Sequence, residues 1–472
     1  MKQSNDTLKR GDEIELTIDS LSSEGKGIAR HDGLVVFVQG AVPGDTIRAQ
    51  VRKKKKNLAE ANTIKILKKS PHRVDPECRH FGTCGGCKAQ DFEYGEQLAW
   101  KRQVVADAFT RIGKFENVLV HETLPSPEVF YYRNKMEFSF GRHRWLFPDE
   151  LGTVDREQEQ FALGLHIPKR YDRILSIDDC RLQSPESTAI LNASREYFLA
   201  NDATVYSSDD GTGTLRHLVI REGKNTGQRM VFLVTFDDPP GLIEGFSELL
   251  QKEEFGVTTF IHGITKSRST VAVAEKEKVY FGPGIIEETL GAFRFQISPT
   301  SFFQTNSYQA KQLYDVACDY AAFQPTDTVW DFYCGTGTIT LYISDRVKST
   351  LGVELNEYAI ENARVNAKLN DVENAEFVSS DIAKFVRKGE AEKHPSPDVI
   401  IVDPPRPGLH PSVVEAIGNL GVERVVYVSC NPSSCARDCE MLSEYGYRIE
   451  EIQPVDMFPH TYHIECVVKL RK

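Results

Sequence analysis

The chain has 472 residues, 40% of them apolar and 26% charged, which excludes a disordered chain and is too long for one ordinary domain. Its formal net charge of −11, taken alone, speaks against nucleic acid, because a phosphate backbone attracts positive charge. No apolar run approaches the roughly 20 residues of a membrane span, and MKQSNDTLKR at the start has no apolar core, so no membrane contact, no secretory signal and a cytoplasmic location are expected. Ten cysteines in that setting are expected as thiols or metal ligands rather than as disulfides.

The charge is divided unevenly. Residues 1–73 hold 15 Lys and Arg against 9 Asp and Glu, a net of +6, which leaves −17 on the remainder. The basic part ends in Arg52-Lys53-Lys54-Lys55-Lys56, with Lys65, Lys68 and Lys69 behind it. Ile14, Leu16 and Ile18, then Val35 and Phe37, then Ile47, Ala49 and Val51 alternate as short strands do, and Gly25, Gly27, Gly33, Gly40 and Pro43-Gly44-Asp45 supply turns. A small β-barrel is expected over 1–73. Its lysine run reads either as a solvated edge protected against aggregation or as a nucleic-acid surface.

A cysteine cluster follows in 74–92, then a helix over about 95–115. From 125 to 285 the pattern is strand-rich, with Lys135–Phe140, Leu215–Ile220, Met230–Phe236 and Thr270–Ala274 as examples, so the middle is expected to be α+β. After about 308 strands and helices alternate. The expected series is helix Gln309–Ala322, strand Thr328–Asp331, strand Thr350–Val353, helix Glu357–Leu369, strands Ala375–Val378 and Val399–Val402, helix Ser412–Gly418, and strands Arg424–Ser429, Arg448–Val455 and Ile464–Leu470. That alternation predicts a doubly wound parallel sheet.

In this C-terminal third, Asp331-Phe-Tyr-Cys-Gly335-Thr-Gly337 sets a Gly-x-Gly between a strand and a helix, where the backbone can approach a ligand. Glu354, 17 residues past Gly337, ends the next strand and suits ribose hydroxyls, and Asp381 ends the third and suits an adenine amino group. A dinucleotide fingerprint would want glycine where Thr340 stands. The alternatives are a nucleotide dehydrogenase or a purely structural glycine turn, but the pattern resembles the S-adenosylmethionine site of class I methyltransferases.

Three further segments carry chemistry: Asp403-Pro-Pro-Arg406 and Ser429-Cys430-Asn-Pro432, which end strands at the same sheet edge, and Pro459-His-Thr-Tyr-His463-Ile-Glu465, which leads into the final strand. Cys430 lies at a strand end before a helix, whose N-terminus favours a thiolate. Cys318, Cys334, Cys435, Cys439 and Cys466 read as inert buried residues. With Ser301-Phe-Phe-Gln304-Thr-Asn306, these motifs make the chain similar over nearly its whole length to RNA uracil-5 methyltransferases. The nearest resemblance is to the branch that acts on 23S ribosomal RNA and carries a TRAM domain and an iron–sulfur cluster. The resemblance implies Cys430 as nucleophile and Glu465 as general base. It implies Gln304, Tyr333, Thr338, Glu354, Asp381 and Asp403 as contacts to S-adenosylmethionine, with Thr338 and Asp381 standing where relatives can carry Asn.

Cys78-x5-Cys84-Gly-Gly-Cys87 is a three-thiol array whose spacing alone leaves zinc, an iron–sulfur centre or free thiols open. The resemblance adds Cys180 as a fourth ligand and implies a [4Fe–4S] cluster held by Cys78, Cys84, Cys87 and Cys180. The expected architecture is therefore multidomain α/β. Residues 1–73 form an OB-like TRAM barrel that binds RNA, and 74–92 with 125–285 form a central cluster-bearing, RNA-binding domain. Residues 93–124 with 286–472 form a Rossmann-like methyltransferase. The expected partner is RNA, namely 23S rRNA as the resemblance implies, not DNA, and the expected state is a monomer. Rival readings are a tRNA T-loop uracil-5 methyltransferase, a cytosine-5 or amino-group methyltransferase, and a non-catalytic RNA-binding factor.

Overall fold

The computed structural model describes residues 8–147, 149–152, 161–269, 271–387 and 389–472. The first unit is a six-stranded sheet: β1 (Glu13–Thr17), β2 (Ser20–Leu21), β3 (Gly27–His31), β4 (Leu34–Gln39), β5 (Thr46–Lys54) and β6 (Leu58–Lys68), in the order β1-β5-β6-β4-β3-β2. Ile14, Leu16, Ile47, Ala49 and Val51 face one core, as period-two alternation requires. In β4 the buried residues are Val36 and Val38, not the expected Val35 and Phe37. The run Leu-Val-Val-Phe-Val is apolar at both parities, so alternation could not choose its inward face. Strand β6 was not foreseen, because Ala59 and Ala61 between polar residues make a weak strand signal. Where a barrel was expected, the ladder leaves β1 and β2 at opposite ends of the sheet, with no β1–β2 pair among the described residues.

Helix α1 (Tyr94–Arg111) and the short β7 (Leu119–Val120) lead to a seven-stranded sheet. It contains β8 (Lys135–Gly141), β9 (Ala162–Ile167), β10 (Arg170–Ser176), β11 (Leu215–Glu222), β12 (Arg229–Thr235), β13 (Thr259–Ile264) and β14 (Lys276–Phe281), in the order β10-β9-β8-β11-β12-β13-β14. Helices α2 (Pro185–Ala200) and α3 (Leu242–Leu250) cover one face, packing Leu191, Phe198 and Phe246 on Phe138, Leu218 and Val231. The pair β12–β13 is parallel, joined through α3. The expected strand Thr270–Ala274 is not formed. Thr270 lies outside the described residues, Val271–Ala274 is irregular, and the free edge of β13 is taken by β14 instead.

The hairpin β15 (Ile286–Leu290) and β16 (Phe293–Ile297) precedes α4 (Ser307–Ala321) and the α/β unit. That unit runs β17 (Thr328–Phe332), α5 (Thr338–Tyr342), β18 (Ser349–Glu354), α6 (Glu357–Leu369), β19 (Ala375–Ser379), α7 (Ile382–Arg387), β20 (Val399–Val402), α8 (Pro411–Leu420), β21 (Arg424–Ser429), α9 (Pro432–Ser443), β22 (Arg448–Val455) and β23 (Glu465–Arg471). The eight-stranded order is β19-β18-β17-β20-β21-β23-β22-β7, with β23 antiparallel to both neighbours. Two apolar cores fill its faces, one with Val329 and Ile401 and the other with Trp330 and Ile400, as a sheet buried on both sides demands. The chain reverses direction across the sheet between β17 and β20, where open α/β sheets bind ligands at their carboxyl edge. Among the described residues no helix is long and apolar enough to cross a membrane.

Candidate active site

The pairing register sets the site. Phe332 pairs Val353 and Val402, so the next residues, Tyr333, Glu354 and Asp403, lie side by side at the carboxyl ends of β17, β18 and β20. Ser429 pairs Cys466 on the antiparallel β23, so the following step places Cys430 across from Glu465. Two residues 35 positions apart in sequence thus meet at one edge because the last strand runs backwards.

The turn after β17 is built for close approach. Tyr333, Gly335 and Gly337 all have positive φ, at 66°, 54° and 79°. A Cβ at Gly337 would come within 2.9 Å of Phe377 and 3.0 Å of Ala363, so the tight fit admits glycine alone. Thr338 opens α5, its hydroxyl 3.1 Å from that of Tyr314. Glu354 accepts from the backbone N–H groups of Asn356 (2.9 Å) and Gly335 (3.4 Å), which orients its carboxylate toward the glycine turn. Asp381 Oδ1 accepts from Lys384 N at 2.9 Å. Tyr333, Leu355, Asp381, Ile382, His410 and Val413 line a cavity of about 550 Å³ beside this edge. Gln304 is buried, and its carbonyl accepts from the Asn134 amide at 2.8 Å, tying the Phe-Phe-Gln segment to the seven-stranded sheet.

Electrostatically the edge is an acidic, dehydrated set. Burial, then the nearby Asp331, raises Asp403 to about 7. Burial and Asp403 together push Glu465 well above the carboxylate range. The Cys430 thiol is pushed up to about 12 by burial and by Glu465 and Asp403, with Arg406 opposing. The expectation of a thiolate favoured by the helix end meets an opposing environment: Asn431 caps α9, but burial first, and then the Glu465 and Asp403 carboxyls, raise the thiol. The Cys430 turn is tied to the Arg406 segment. The Asn431 amide donates to Arg406 O at 3.0 Å, and Ser434 Oγ donates to the same carbonyl at 3.1 Å.

The other thiols divide in two. Cys318, Cys334, Cys435, Cys439 and Cys466 are buried. Cys78, Cys84, Cys87 and Cys180 are half-buried and gathered closely enough to feel one another's charge: burial, then Cys180, Cys84 and Cys78, push Cys87 up to about 12. Their segments are bound together. Gln90 accepts from Cys78 N (3.1 Å) and donates to Cys87 Sγ (3.2 Å), Gly86 N donates to Cys84 Sγ (3.4 Å), and Arg79 and His80 grip Asp178, two residues before Cys180. As the side chains stand, no group of three or more His, Cys, Asp or Glu among the described residues has the geometry of a metal site. The donor set itself, four thiols with N–H groups aimed at two of the sulfurs, suits a sulfur-ligated centre.

Sequence reasoning missed the polar stripe of α1 beneath the site. Lys101 is fully buried and donates to Asp456 Oδ1 at 2.6 Å, Tyr94 Oη donates to Asp456 Oδ2 at 3.0 Å, and Gln97 donates to Ala89 O and Phe92 O. The available signal was their i, i+3, i+7 spacing, one face of a helix, which an apolar-only reading passes over.

A tRNA (Uracil-5-)-methyltransferase family profile matches residues 264–472 and a TRAM domain profile matches residues 7–64. An uncharacterised RNA methyltransferase of Chlorobaculum tepidum is 39% identical over 472 residues, covering 99% of this chain and 98% of that protein. The chain belongs to the RNA (uracil-5-)-methyltransferase family. A second relative, an uncharacterised RNA methyltransferase of Porphyromonas gingivalis, is 40% identical over 462 residues, covering 96% of this chain and 99% of its own. The crystal structure of a Pyrococcus abyssi tRNA (uracil-54, C5)-methyltransferase in complex with S-adenosyl-L-homocysteine is similar at a TM-score of 0.74 and 31% identity, covering 97% of this chain and all of that one. The eight-stranded unit of this family member is a methyltransferase fold, and the segment from residue 7 to residue 64 is a TRAM domain.

Proposed function

We propose that the protein methylates C5 of a specific uridine in RNA, in 23S rRNA, with S-adenosylmethionine as donor. The observation that carries this is the register that sets Cys430 opposite Glu465 at the carboxyl edge, beside the glycine turn and Glu354. Uracil C5 is too weakly nucleophilic to take a methyl group unaided. Addition of the Cys430 thiolate to C6 delivers electron density to C5. S-adenosylmethionine supplies an electrophilic methyl group. Glu465, ionised at that stage, removes the C5 proton, and the C6–S bond breaks to return the thiolate. Glu354 holds the ribose hydroxyls, Asp381 the adenine, and Gln304, Tyr333, Thr338 and Asp403 complete the donor site. Arg406 opposes the rise of the thiol and is suited to balance charge that develops on the ring.

Cys78, Cys84, Cys87 and Cys180 would hold a [4Fe–4S] cluster, whose contribution here is to cross-link the 78–87 and 178–180 segments, since methyl transfer moves no single electrons. We assign 1–73 to an RNA-binding TRAM unit, of which residues 1–7 lie outside the described residues. We assign 74–92 with 125–285 to the central domain and 93–124 with 286–472 to the methyltransferase, acting as a cytoplasmic monomer. A second reading, methylation of the tRNA T-loop, is favoured by one specific finding. The tRNA enzyme from Pyrococcus abyssi aligns over 97% of this chain, so the N-terminal and cysteine-bearing segments do not by themselves select rRNA.

The test is covalent. Cys430→Ala abolishes both transfer and the SDS-stable adduct with 5-fluorouracil RNA, whereas Glu465→Gln traps a methylated adduct. Normal turnover by Cys430→Ala would sink the mechanism. Methyl incorporation into unmodified 23S rRNA and tRNA transcripts separates the two targets. An anaerobic preparation with roughly four irons per chain supports the cluster, and stoichiometric zinc overturns it.

A further inference from the structure

The nine residues between β22 and β23, Asp456 to Ile464, leave the sheet and return to it at Glu465, which pairs with Val455. This excursion is fastened at its start and its tip to α1 and the segment before it, and also by Leu124 O accepting from Asp456 N (2.9 Å), Asn306 Nδ2 donating to Met457 O (3.1 Å) and Tyr132 Oη donating to Pro459 O (3.1 Å). Asp456, buried, is held by Lys101 and Tyr94, and Lys101 Nζ also donates to Phe458 O at 3.0 Å. Gln97 Oε1 accepts from His460 N at 3.0 Å, while its amide nitrogen lies 3.2 Å from His460 Nδ1. Lys88 N and Ala89 N both donate to His460 O, at 2.8 and 3.0 Å. His460 has φ of 65°, a left-handed conformation that a non-glycine residue keeps only when its surroundings dictate it, and Phe130 stacks on its ring at 4.4 Å. Residues 94, 97 and 101 share one face of α1, so a single helix stripe grips the excursion at both its start and its tip.

We propose that the Tyr94–Gln97–Lys101 stripe is a positioning device for the general base: it fixes the course of the 456–464 excursion and, through it, the aim of the Glu465 carboxyl. The proposal rests on the reading of Glu465 as base. It carries a specific asymmetry. Cys430 follows the end of β21, and its turn is held by Asn431, Ser434 and Arg406, none of them on α1 or the excursion. Loosening the stripe should therefore slow proton removal while sparing addition to C6 and methyl transfer. A stripe that merely supported the fold would slow every step together.

The test is single-turnover kinetics of the full-length Gln97→Leu variant on whichever in vitro transcript, 23S rRNA or tRNA, accepts methyl groups. Methyl transfer into the covalent complex is expected to stay within about threefold of the unsubstituted protein, while release of methylated RNA slows about tenfold or more, so SDS-stable methylated complex accumulates. Tyr94→Phe, which keeps the ring and loses the two hydroxyl bonds to Asp456 and Ser126, should show the same pattern at about threefold and guards against a folding defect in the first variant. Parallel loss of transfer and release, or no accumulation in either variant, overturns the proposal. Glu465→Gln run alongside keeps the two ideas apart. If it too fails to accumulate methylated complex, the assignment of the base is wrong; if it accumulates and the stripe variants do not, only the positioning role fails.

Discussion

Asp45 in the N-terminal sheet region and Asp331 in the methyltransferase unit are both completely buried, yet their acidities move in opposite directions. Burial alone raises Asp45, but Arg73 and the N–H groups of Val42 and Ser70 reverse it and hold the carboxyl below its usual range. Asp331 is raised to about 7 by the same burial, because its main support is one hydroxyl, Thr340 Oγ1 at 2.6 Å, and Glu354 adds repulsion. The difference lies in the partner, not in depth. The N-terminal carboxylate is part of a clasp in which Arg73 also reaches Asp91 at 2.6 Å, joining the sheet to the cysteine-bearing segment. The C-terminal ones belong to a site left short of cations, where a cationic donor molecule is proposed to bind.

The largest effect should come from breaking the clasp. Arg73→Met leaves Asp45 and Asp91 buried without their cation and is expected to cost about 3 kcal/mol, read as a lower denaturation midpoint. Loss of less than about 1 kcal/mol would mean that the two carboxylates simply protonate or reach water.

The second effect has the opposite pH sign. Because Asp45 is more acidic folded than unfolded, its stabilisation is present above the ordinary value of 3.8 and is lost as pH falls through its lowered value. Asp331 is less acidic folded, so it weakens the fold progressively as pH rises from 3.8 to about 7 and by a constant amount above that. Asp331→Asn should thus stabilise at pH 8 by about 2 kcal/mol and change little near pH 4, in paired melts. Equal effects at both pH values would remove the contrast between the two regions. Activity shares this sign. The nucleophile and the base both act deprotonated and both are pushed up, so kcat/KM should climb between pH 6 and 8 by up to about tenfold per unit for each group, and a flat profile would break that link.

How far the sequence carried differs between these regions for physical reasons. In the C-terminal unit the central strands are largely apolar and end in special residues, with turn and helix signals between them, so β17 through β23 and the acids at their ends could be placed nearly to the residue. In the N-terminal sheet, β6 escaped notice and the inward face of β4 was assigned wrongly, because small or uniformly apolar residues carry no period. Within the site, the Cys430–Glu465 pair depends on an antiparallel register that no local pattern encodes. The Lys101–Asp456 pair was invisible for a different reason: a lysine on a helix reads as solvent-facing, and only tertiary packing buries it.

The smallest expected change concerns the surface on which the net charge first misled. Arg52 to Asn57 are all exposed, at the end of β5 and the turn into β6, so four adjacent lysines, Lys53 and Lys54 on the strand and Lys55 and Lys56 in the turn, face solvent. Replacing Lys53, Lys54, Lys55 and Lys56 with Gln should leave the melt within about 0.5 kcal/mol, since surface charges away from buried contacts contribute little. RNA affinity should fall, and the slope of log affinity against log salt should lose about 3, if each lysine releases one counterion from single-stranded RNA. The Arg73 clasp predicts the reverse signature, a large change in stability. A salt slope unchanged in the lysine variant would make the +6 segment a guarded sheet edge, and RNA attraction would then have to come from the chain that carries −17.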